Sequence, residues 1–359
     1  MKTLLIICDS LEEKGGVEKI VAIQANHFIK KGFSVHILTR YKQSKISAYE
    51  LDENILIDSY SWNINTKGLA KVRNFYNFIN WMRGKIKQIN PDAIQTHGLN
   101  VGVLSVFSAT KYQRKIIACD HNHFENANKL WSFLRKLTYK KINTAVSLTQ
   151  EDLSNFKKVN SNSICIYNPV SISNFKFGYS KNKTALAVGR YTRQKGFDIL
   201  IEAWNMVHNK YSDWNLKIIG EGEEKSNLEL KINDYGLSDT IKLSSPTLNI
   251  VEEYNNSNVF ILSSRYEGFC LVLIEALSIG VPVIAFDCKT GPKEVLAEGG
   301  GILVEPENPH KLADAIINFI ENSEQWDEIS SLAITNGKRF TLENYFNEWD
   351  SLVYGIVNK

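Results

Sequence analysis

The sequence lacks several features that define familiar classes of protein. Its five cysteines are odd in number, scattered and mostly embedded in apolar, strand-like runs: Cys8, Cys119, Cys165, Cys270 and Cys288. This pattern predicts buried, reduced thiols instead of a disulfide framework, and therefore a cytoplasmic protein. No low-complexity segment is present, and a hydrophobic content of 43% is that of a soluble globular protein.

Long apolar runs are also absent from the sequence. The stretch Met1–Cys8 carries only a short apolar run before Asp9, which is shorter than the core of a signal peptide. It predicts a first β-strand, and we expect no segment of the chain to span a bilayer.

The formal net charge of +3 conceals a division between the two halves of the chain. Residues 1–170 contain 24 Lys and Arg against 13 Asp and Glu, a charge of +11, whereas residues 171–359 contain 18 against 26, a charge of −8. This asymmetry predicts that the first half faces an anionic partner, either nucleic acid or an acidic membrane surface. No recognised nucleic-acid-binding module is present, so we favour the membrane surface and expect no nucleic acid.

Two basic segments in the first half, 67–87 and 129–141, interleave Lys and Arg with aromatic and aliphatic residues. Basic amphipathic helices with aromatic residues are typical of membrane-surface binding. The alternative is a helix that packs its apolar stripe on a sheet and leaves its lysines in water, because core-facing helices have the same periodicity. The sequence leaves both interpretations open.

Strand-like apolar runs alternate with helical patterns in two successive rounds. The first begins at Leu4–Cys8 with a turn at Gly15-Gly16, and the second begins at Thr184–Val188. Continuous apolar strands separated by helices predict parallel sheets covered on both faces. We therefore predict an α/β fold with two doubly wound, Rossmann-like domains, and a cleft between the carboxyl ends of their strands where ligands bind.

The length of the chain also suggests two domains. A boundary near Asn168-Pro169, followed by Pro and polar residues through Ser180, predicts domains at 1–168 and 169–341 joined by a linker. The segment 342–359 follows a hydroxyl N-cap candidate, Thr341, and has the apolar spacing of a final amphipathic helix. Packing on the second domain is the simplest interpretation of that helix.

Two carboxylates stand eight residues apart across a predicted strand-to-helix junction. Glu267 follows the apolar run Val259–Ser263, and Glu275 lies in a helix predicted to begin at Leu271. At about 1.5 Å per residue, eight helical residues would separate them by at most ~12 Å, comparable to the span from the ribose to the transferred sugar of a sugar nucleotide. Two acceptors at that separation suit two sets of sugar hydroxyls.

Basic residues also follow predicted strands of the second half. Arg190 and Lys195 lie between a strand and the helix that begins at Phe197, a position that suits a diphosphate. Solvated loop charges are the ordinary alternative. Gly291 and Lys293, at another strand-to-helix junction, are weaker candidates for a phosphate or sugar contact.

Four motifs together resemble the retaining family-four glycosyltransferases of GT-B fold, and the resemblance spans nearly the whole chain. In chain order they are Gly15-Gly16, Gly189-Arg190 with Lys195, Glu267-x7-Glu275 and Gly280-Val281-Pro282-Val283. The resemblance implies that 1–168 is the acceptor-side domain and 169–341 the nucleotide-sugar domain. It also implies that the helix 342–359 crosses back to the first domain.

The same resemblance implies roles for individual residues. Arg190 and Lys195 would bind the donor diphosphate, Glu275 the nucleotide ribose, and Glu267 the hydroxyls of the transferred sugar. The full donor-binding set implied in this way is Gly15, Gly16, Gly189, Arg190, Lys195, Glu267, Gly268, Phe269, Cys270, Leu271 and Glu275. We expect Glu267, Arg190, Lys195 and His121 to act in catalysis.

His121 is the strongest candidate in the first half, because it follows the predicted strand Lys115–Cys119. Members of the resembled family often carry a histidine here, near the transferred sugar, and we expect it to position a sugar hydroxyl. A lone histidine is usually structural, and His121-x-His123 could suggest a metal pair. No further Cys/His cluster or suitable carboxylate accompanies that pair in the sequence, so we predict no metal.

The absence of any Asp-x-Asp motif leaves the metal-bridged diphosphate site of the other major glycosyltransferase fold without evident ligands. The resemblance implies a cofactor-independent, retaining transfer of a hexose or N-acetylhexosamine, with UDP-sugar favoured, to a lipid-linked saccharide. It implies an enzyme of cell-surface polysaccharide synthesis, and the basic first half leads us to expect a cytoplasmic protein peripheral on the inner face of the cell membrane. A UDP-sugar epimerase of the same architecture and a non-catalytic partner subunit remain alternatives.

Overall fold

Two parallel β-sheets organise the chain. The computed structural model describes residues 1–13, 15–41, 47–63, 65–170, 183–247 and 249–358. Most of the linker predicted through Ser180 therefore lies outside the described residues. The chain separates into a first unit, Met1–Asn168 with Tyr345–Lys359, and a second unit, Pro169–Asn344.

The first unit is built on a seven-stranded sheet of order β3-β2-β1-β4-β5-β6-β7, in which every pairing is parallel. Its strands are β1 Thr3–Cys8, β2 Ser34–Thr39, β3 Leu56–Ser59, β4 Ala93–His97, β5 Ile116–Cys119, β6 Thr144–Ser147 and β7 Ile164–Cys165. The edge strands β3 and β7 were not predicted from the sequence, because β7 has only two residues and β3 is largely exposed and ends in polar residues.

Helices connect the strands of the first unit and cover its sheet. They are α1 Gly16–Lys30, α2 Gly68–Ile89, α3 Leu99–Ser108, α4 Lys129–Thr138 and α5 Gln150–Lys157. The buried side chains of α2, Phe78, Met82 and Ile86, follow the i, i+4, i+8 spacing of a helix face and join the core with residues of β1, β4 and β5.

The second unit has a six-stranded parallel sheet of order β10-β9-β8-β11-β12-β13. The strands are β8 Thr184–Val188, β9 Asn215–Ile219, β10 Ile241–Ser244, β11 Val259–Leu262, β12 Val283–Phe286 and β13 Gly301–Val304. Its helices are α6 Phe197–His208, α7 Lys225–Asp234, α8 Ile250–Asn255, α9 Leu271–Ile279, α10 Pro292–Val295, α11 Pro309–Glu321 and α12 Trp326–Gly337. The prediction of two doubly wound parallel sheets is confirmed.

The final helix, α13 Leu342–Val357, packs on the first unit from Tyr345 onward. Gln24 of α1 donates a 2.6 Å hydrogen bond to the Tyr345 hydroxyl, and both side chains are buried. The His27 ring stacks on Phe346 with centroids 3.7 Å apart, and its Nε2 lies 2.7 Å from Asp350 Oδ1. These polar contacts fix the register of α13, because an apolar stripe alone would tolerate sliding.

No helix among the described residues combines the length and the apolar character needed to cross a membrane.

Candidate active site

In the second unit, the turn after β8 is hydrogen-bonded to the segment after β11, the strand that pairs with β8. Ser263 Oγ donates to the Lys195 carbonyl at 2.9 Å, and the Arg265 amide donates to the Gln194 carbonyl at 2.8 Å. Gln194 Nε2 returns a bond to the Tyr266 carbonyl at 3.0 Å. The two loops therefore form one unit at the carboxyl edge of the sheet, where doubly wound folds bind ligands.

Arg265 strengthens this connection and was missed by sequence analysis. Its guanidinium makes two bonds to the Asp198 carboxylate, at 2.9 and 2.7 Å, and a third to the Arg193 carbonyl at 2.7 Å. Its Nε binds Glu307 at 3.0 Å. Nothing in the sequence distinguishes Arg265 from a solvated residue, because an arginine in a loop after a strand ordinarily points into water.

The centre of the site is an ion pair between Lys195 and Glu267. Lys195 Nζ lies 2.8 Å from Glu267 Oε1, and the Ser264 hydroxyl donates to the same oxygen at 2.5 Å. Burial alone would lower the pKa of Lys195, but the charge of Glu267, its hydrogen bond and the neighbouring Cys270 together outweigh burial and raise that pKa above its ordinary value. Lys195 is therefore charged throughout the neutral range, and Glu267 is held in one orientation.

Glycines make room for this pair. A Cβ on Gly189 would lie 3.0 Å from the Lys195 side chain, so glycine lets the lysine cross the end of β8. Gly291 is glycine for its backbone, at φ +96°, and a Cβ there would be in ordinary contact with the Cys270 sulfur at 3.4 Å and the Glu267 side chain at 3.9 Å. The structure thus brings five of the sequence candidates together in the second unit.

The remaining second-unit candidates surround that cluster in different ways. Gly268 is half-buried, and Phe269 is buried with its ring edge-on to Phe340 at 5.8 Å. Leu271 is the first residue of α9. Arg190 and Lys293 are exposed, so their cationic groups are accessible to an anion.

Glu275 occupies a separate position, as the fifth residue of α9. Its Oε2 accepts a hydrogen bond from the hydroxyl of Tyr254, a fully buried residue of α8, at 3.2 Å. Burial and the Glu275 charge raise the pKa of Tyr254 well above its ordinary value, so the phenol remains a donor. No sequence pattern indicates this partner, because Tyr254 stands 21 residues before Glu275 and belongs to the short helix α8.

The predicted strand-to-helix junction between the two carboxylates is confirmed. α9 begins at Leu271, so Glu267 lies in the turn before the helix, where the Thr290 hydroxyl donates to its carbonyl at 2.6 Å. The separation is set by this turn and not by a rise of 1.5 Å per residue.

In the first unit, Gly15 is the N-cap of α1 and has an extended backbone, with φ −103°. A Cβ at Gly15 would lie 2.3 Å from Glu18 Oε2, so the glycine admits this carboxylate beside the first turn of the helix. Gly16 begins α1 and is exposed.

Hydrogen bonds of the neighbouring residue Asp120 anchor the loop that carries His121. The Asp120 carboxylate accepts bonds from Arg135 Nη1 at 3.1 Å and from the Tyr139 hydroxyl at 2.6 Å. The Phe124 amide donates to Asp152 Oδ2 at 2.9 Å. Arg135 belongs to the basic segment of α4 but is only 1% exposed, so this cation anchors the loop and does not face an external partner.

His121 contacts a second histidine that sequence analysis did not single out. His97 Nδ1 lies 2.9 Å from His121 Nε2, and the two rings stack with centroids 5.2 Å apart. Burial lowers the pKa of His121 to about 4 and, with the neighbouring His121, lowers that of His97 well below its ordinary value. Both rings are neutral at pH 7, so one donates and the other accepts.

His123 does not pair with His121 in a metal site. Its Nδ1 accepts the Glu125 amide at 3.0 Å, and its Nε2 lies 3.5 Å from Asp152. The expectation that no Cys/His cluster surrounds His121 is nevertheless wrong, because possible ligand atoms of His97, Cys119 and His121 lie within 4.8 Å of one another. His97 is remote in sequence from Cys119 and His121, and it meets them only through the register of β4 and β5.

Comparison with known proteins agrees with this architecture. The Glycosyltransferase Family 4 model matches residues 14–174, and the Glycosyl transferases group 1 model matches residues 172–336. The amylovoran biosynthesis glycosyltransferase AmsD of Erwinia amylovora is 29% identical over 366 residues, which cover 98% of this chain and 100% of that protein.

Solved structures share the fold at lower sequence identity. A sucrose-phosphate synthase from Thermosynechococcus elongatus has a TM-score of 0.85 at 17% identity and covers 100% of both chains. Anabaena HepE, solved in complex with UDP and glucose, has a TM-score of 0.79 at 16% identity and covers 97% of this chain and 98% of its own. Two doubly wound units with these neighbours define the GT-B fold. The two family models together span residues 14–336, and the chain belongs to glycosyltransferase family 4.

Replacing Gly196 with alanine tests the contact between the two loops of the second unit. Gly196 has φ +62°, and an added Cβ would lie 2.1 Å from the Ser263 carbonyl oxygen. Gly236 has φ +66° with nothing within 4 Å, so Gly236→Ala is the matched control for backbone strain alone. Left-handed backbone costs about 1–2 kcal/mol in both variants, and only Gly196→Ala adds the clash. We expect a lower thermal midpoint by circular dichroism for Gly196→Ala; equal midpoints would contradict the contact.

Proposed function

We propose that this protein is a retaining glycosyltransferase that moves a hexose or N-acetylhexosamine from a UDP-sugar to a lipid-linked saccharide in cell-surface polysaccharide synthesis. The observation that carries the proposal is the Lys195–Glu267 pair, a cation and a carboxylate fixed together at the carboxyl edge of the second sheet. HepE, which was solved with UDP and glucose, supports a UDP-sugar as the donor. AmsD, an amylovoran biosynthesis glycosyltransferase, supports a role in polysaccharide synthesis.

The proposed donor site divides into a phosphate side and a sugar side. Arg190 and Lys195 neutralise the diphosphate, which gathers negative charge as the nucleotide leaves. Glu267 accepts hydrogen bonds from hydroxyls of the transferred sugar. Lys195 and the Ser264 hydroxyl both bind its Oε1 and so hold the carboxylate in place. Glu275, oriented by Tyr254, accepts from the ribose hydroxyls. No metal or other cofactor is required by these assignments.

Retention follows from attack on the same face of the donor sugar. In this mechanism the acceptor hydroxyl passes its proton to the donor phosphate through an ion-pair-like transition state, and the cations stabilise the departing diphosphate. His121 positions a sugar hydroxyl as a neutral ring, because its pKa of about 4 leaves it uncharged at pH 7. A neutral imidazole offers one donor and one acceptor, which suits a hydroxyl better than an imidazolium does.

Lys195→Ala tests the phosphate assignment. We expect turnover of a UDP-sugar with acceptor to fall by about 100-fold or more, as for the loss of a group that stabilises transition-state charge. Lys217→Ala is the control, since Lys217 also pairs with a glutamate of the second unit, Glu253, but lies on β9. Because Glu267 loses a partner in Lys195→Ala, circular dichroism must show that the variant is folded. Unchanged turnover in the folded variant would overturn the assignment.

Glu267→Gln and Glu275→Gln test the division between sugar and ribose. Each change removes the charge but keeps the size and an acceptor oxygen, so Ser264 and Tyr254 retain their bonds. We expect Glu275→Gln to weaken UDP binding by about tenfold, the scale of one hydrogen bond to a charged group. Glu267→Gln should lower kcat and leave UDP affinity near wild type. Calorimetry and steady-state kinetics separate the two; an effect of Glu267→Gln on UDP affinity alone would refute the division.

We also propose that the first unit binds the anionic inner face of the cell membrane. Leu69, Val72 and Tyr76 of α2 are 89%, 66% and 65% exposed and share one face at i, i+3, i+7 spacing. Leu130, Phe133 and Leu137 of α4 repeat this spacing and are also exposed.

These exposed stripes lie apart from the buried stripe of α2, so packing on the sheet does not account for them. The two helices approach each other where Phe75 and Trp131 lie with ring centroids 6.1 Å apart. Exposed Lys71 and Lys129 stand beside the stripes, and such cations are attracted to anionic lipid while the apolar side chains enter the interface.

Flotation with vesicles tests the membrane proposal. We expect the protein to float with vesicles that contain phosphatidylglycerol and not with pure phosphatidylcholine, with binding that weakens as salt rises. The double variant Leu69→Ser with Phe133→Ser should lose most of this binding. Leu230→Ser is the control, because Leu230 is 61% exposed in the second unit. Equal flotation of both variants would exclude the proposed surface.

A further inference from the structure

We propose that His97, Cys119 and His121 form a binding site for a thiophilic divalent metal ion such as Zn²⁺. The site lies in the first unit, at the carboxyl ends of β4 and β5, and is separate from the Lys195–Glu267 pair. It goes beyond the proposed transfer reaction, which uses no metal.

The sheet itself positions two of the ligands. His97 and Cys119 are the last residues of β4 and β5 and are direct Cα partners in the parallel register. Residues paired in this way point to the same face of a sheet, as does a residue two positions further along. His121 stands two residues after Cys119, and the three sets of ligand atoms lie within 4.8 Å.

The donor set suits zinc. Zinc takes imidazole nitrogen at about 2.0–2.1 Å and thiolate sulfur at about 2.3 Å, so tetrahedral ligand atoms stand roughly 3.3–3.6 Å apart. The present separation between His97 Nδ1 and His121 Nε2 is 2.9 Å. These two nitrogens would therefore have to move apart by roughly 0.4 Å to become tetrahedral ligands of one ion.

Two observations favour coordination here. His97 is 1% exposed, and its Nε2 has no hydrogen-bond partner among the described residues, so no bond at Nε2 would have to break for Nδ1 to turn toward an ion. Cys119 is a free, buried thiol with no part in the proposed transfer. His121 is only half-buried, which provides an entrance for an ion, and three protein ligands leave a fourth position for water.

Binding releases one proton. The Cys119 thiol passes its proton to solvent and becomes the thiolate ligand, while each neutral histidine contributes a nitrogen lone pair after the bond between the two rings opens. The ion would then hold His121 Nε2, the nitrogen that now lies against His97. If His121 positions a sugar hydroxyl as proposed above, bound zinc inhibits transfer; this consequence alone rests on the proposed function.

Co²⁺ is the probe, because a thiolate ligand gives it a charge-transfer band in the near ultraviolet. Titration of the full-length protein with Co²⁺ should give this band with one ion per chain, and Zn²⁺ should displace it. Cys119→Ser should abolish the band and weaken Zn²⁺ binding by at least about 100-fold, since even outer contacts of metal ligands cost 10–100-fold. His97→Gln should weaken binding similarly.

Cys165→Ser is the matched control, because Cys165 is a half-buried thiol at the end of β7 in the same sheet. His123→Gln controls for the neighbouring histidine, which binds Asp152 and the Glu125 amide instead. Both should retain the wild-type band. Absence of the band in the wild type, or its persistence in folded Cys119→Ser, would overturn the site. Zinc binding without inhibition would support the site and count against the role of His121.

Discussion

The Lys195–Glu267 ion pair is the interaction on which the second unit's polar edge depends. It joins the turn after β8 to the turn before α9. Hydrogen bonds donated by Ser263, Gln194 and Arg265 also connect these two turns. Glu267 is only 6% exposed, and removing one partner of a buried pair costs about 3–5 kcal/mol because the other charge is left uncompensated. The pair therefore fixes geometry that loops of this length would not otherwise maintain.

Sequence patterns located the strand ends well and their partners poorly. Lys195 and Glu267 could be found because each stands beside glycine in a strand-to-helix turn, a pattern that local chemistry explains. Tyr254 could not, because it meets Glu275 through the packing of α8 on α9. His97 could not, because its contact with His121 depends on the pairing of β4 with β5. Periodicity predicts that a residue lies on a parallel strand; it does not say which strand lies beside it.

The basic helices of the first unit show the limit of composition in another way. Arg135 contributes to the positive charge of α4, yet it lies inside, with its guanidinium 3.4 Å from the centroid of the Phe124 ring and bonded to Asp120. On the same helix Phe133 points outward and is 63% exposed. Hydropathy alone would assign the two residues the opposite way. The inward arginine is stabilised because Nη1 donates to Asp120 and Nη2 to the Phe124 carbonyl, whereas the outward phenylalanine gains nothing from its position unless a partner covers it.

The carboxyl end of β4 carries buried polar residues where a core strand would ordinarily be apolar. The strand begins with Ala93 and Ile94, which a core requires, and then continues with Gln95, Thr96 and His97, all at most 1% exposed. Side-chain atoms of each of these three have no hydrogen-bond partner within the described residues, and each such atom costs about 1–3 kcal/mol if it stays unpaired. A sequence shaped only for stability would continue the apolar run. Three buried polar residues in succession therefore cost stability that the apolar start of β4 supplies, and they stand at the carboxyl end of a parallel strand, the edge at which doubly wound folds bind ligands.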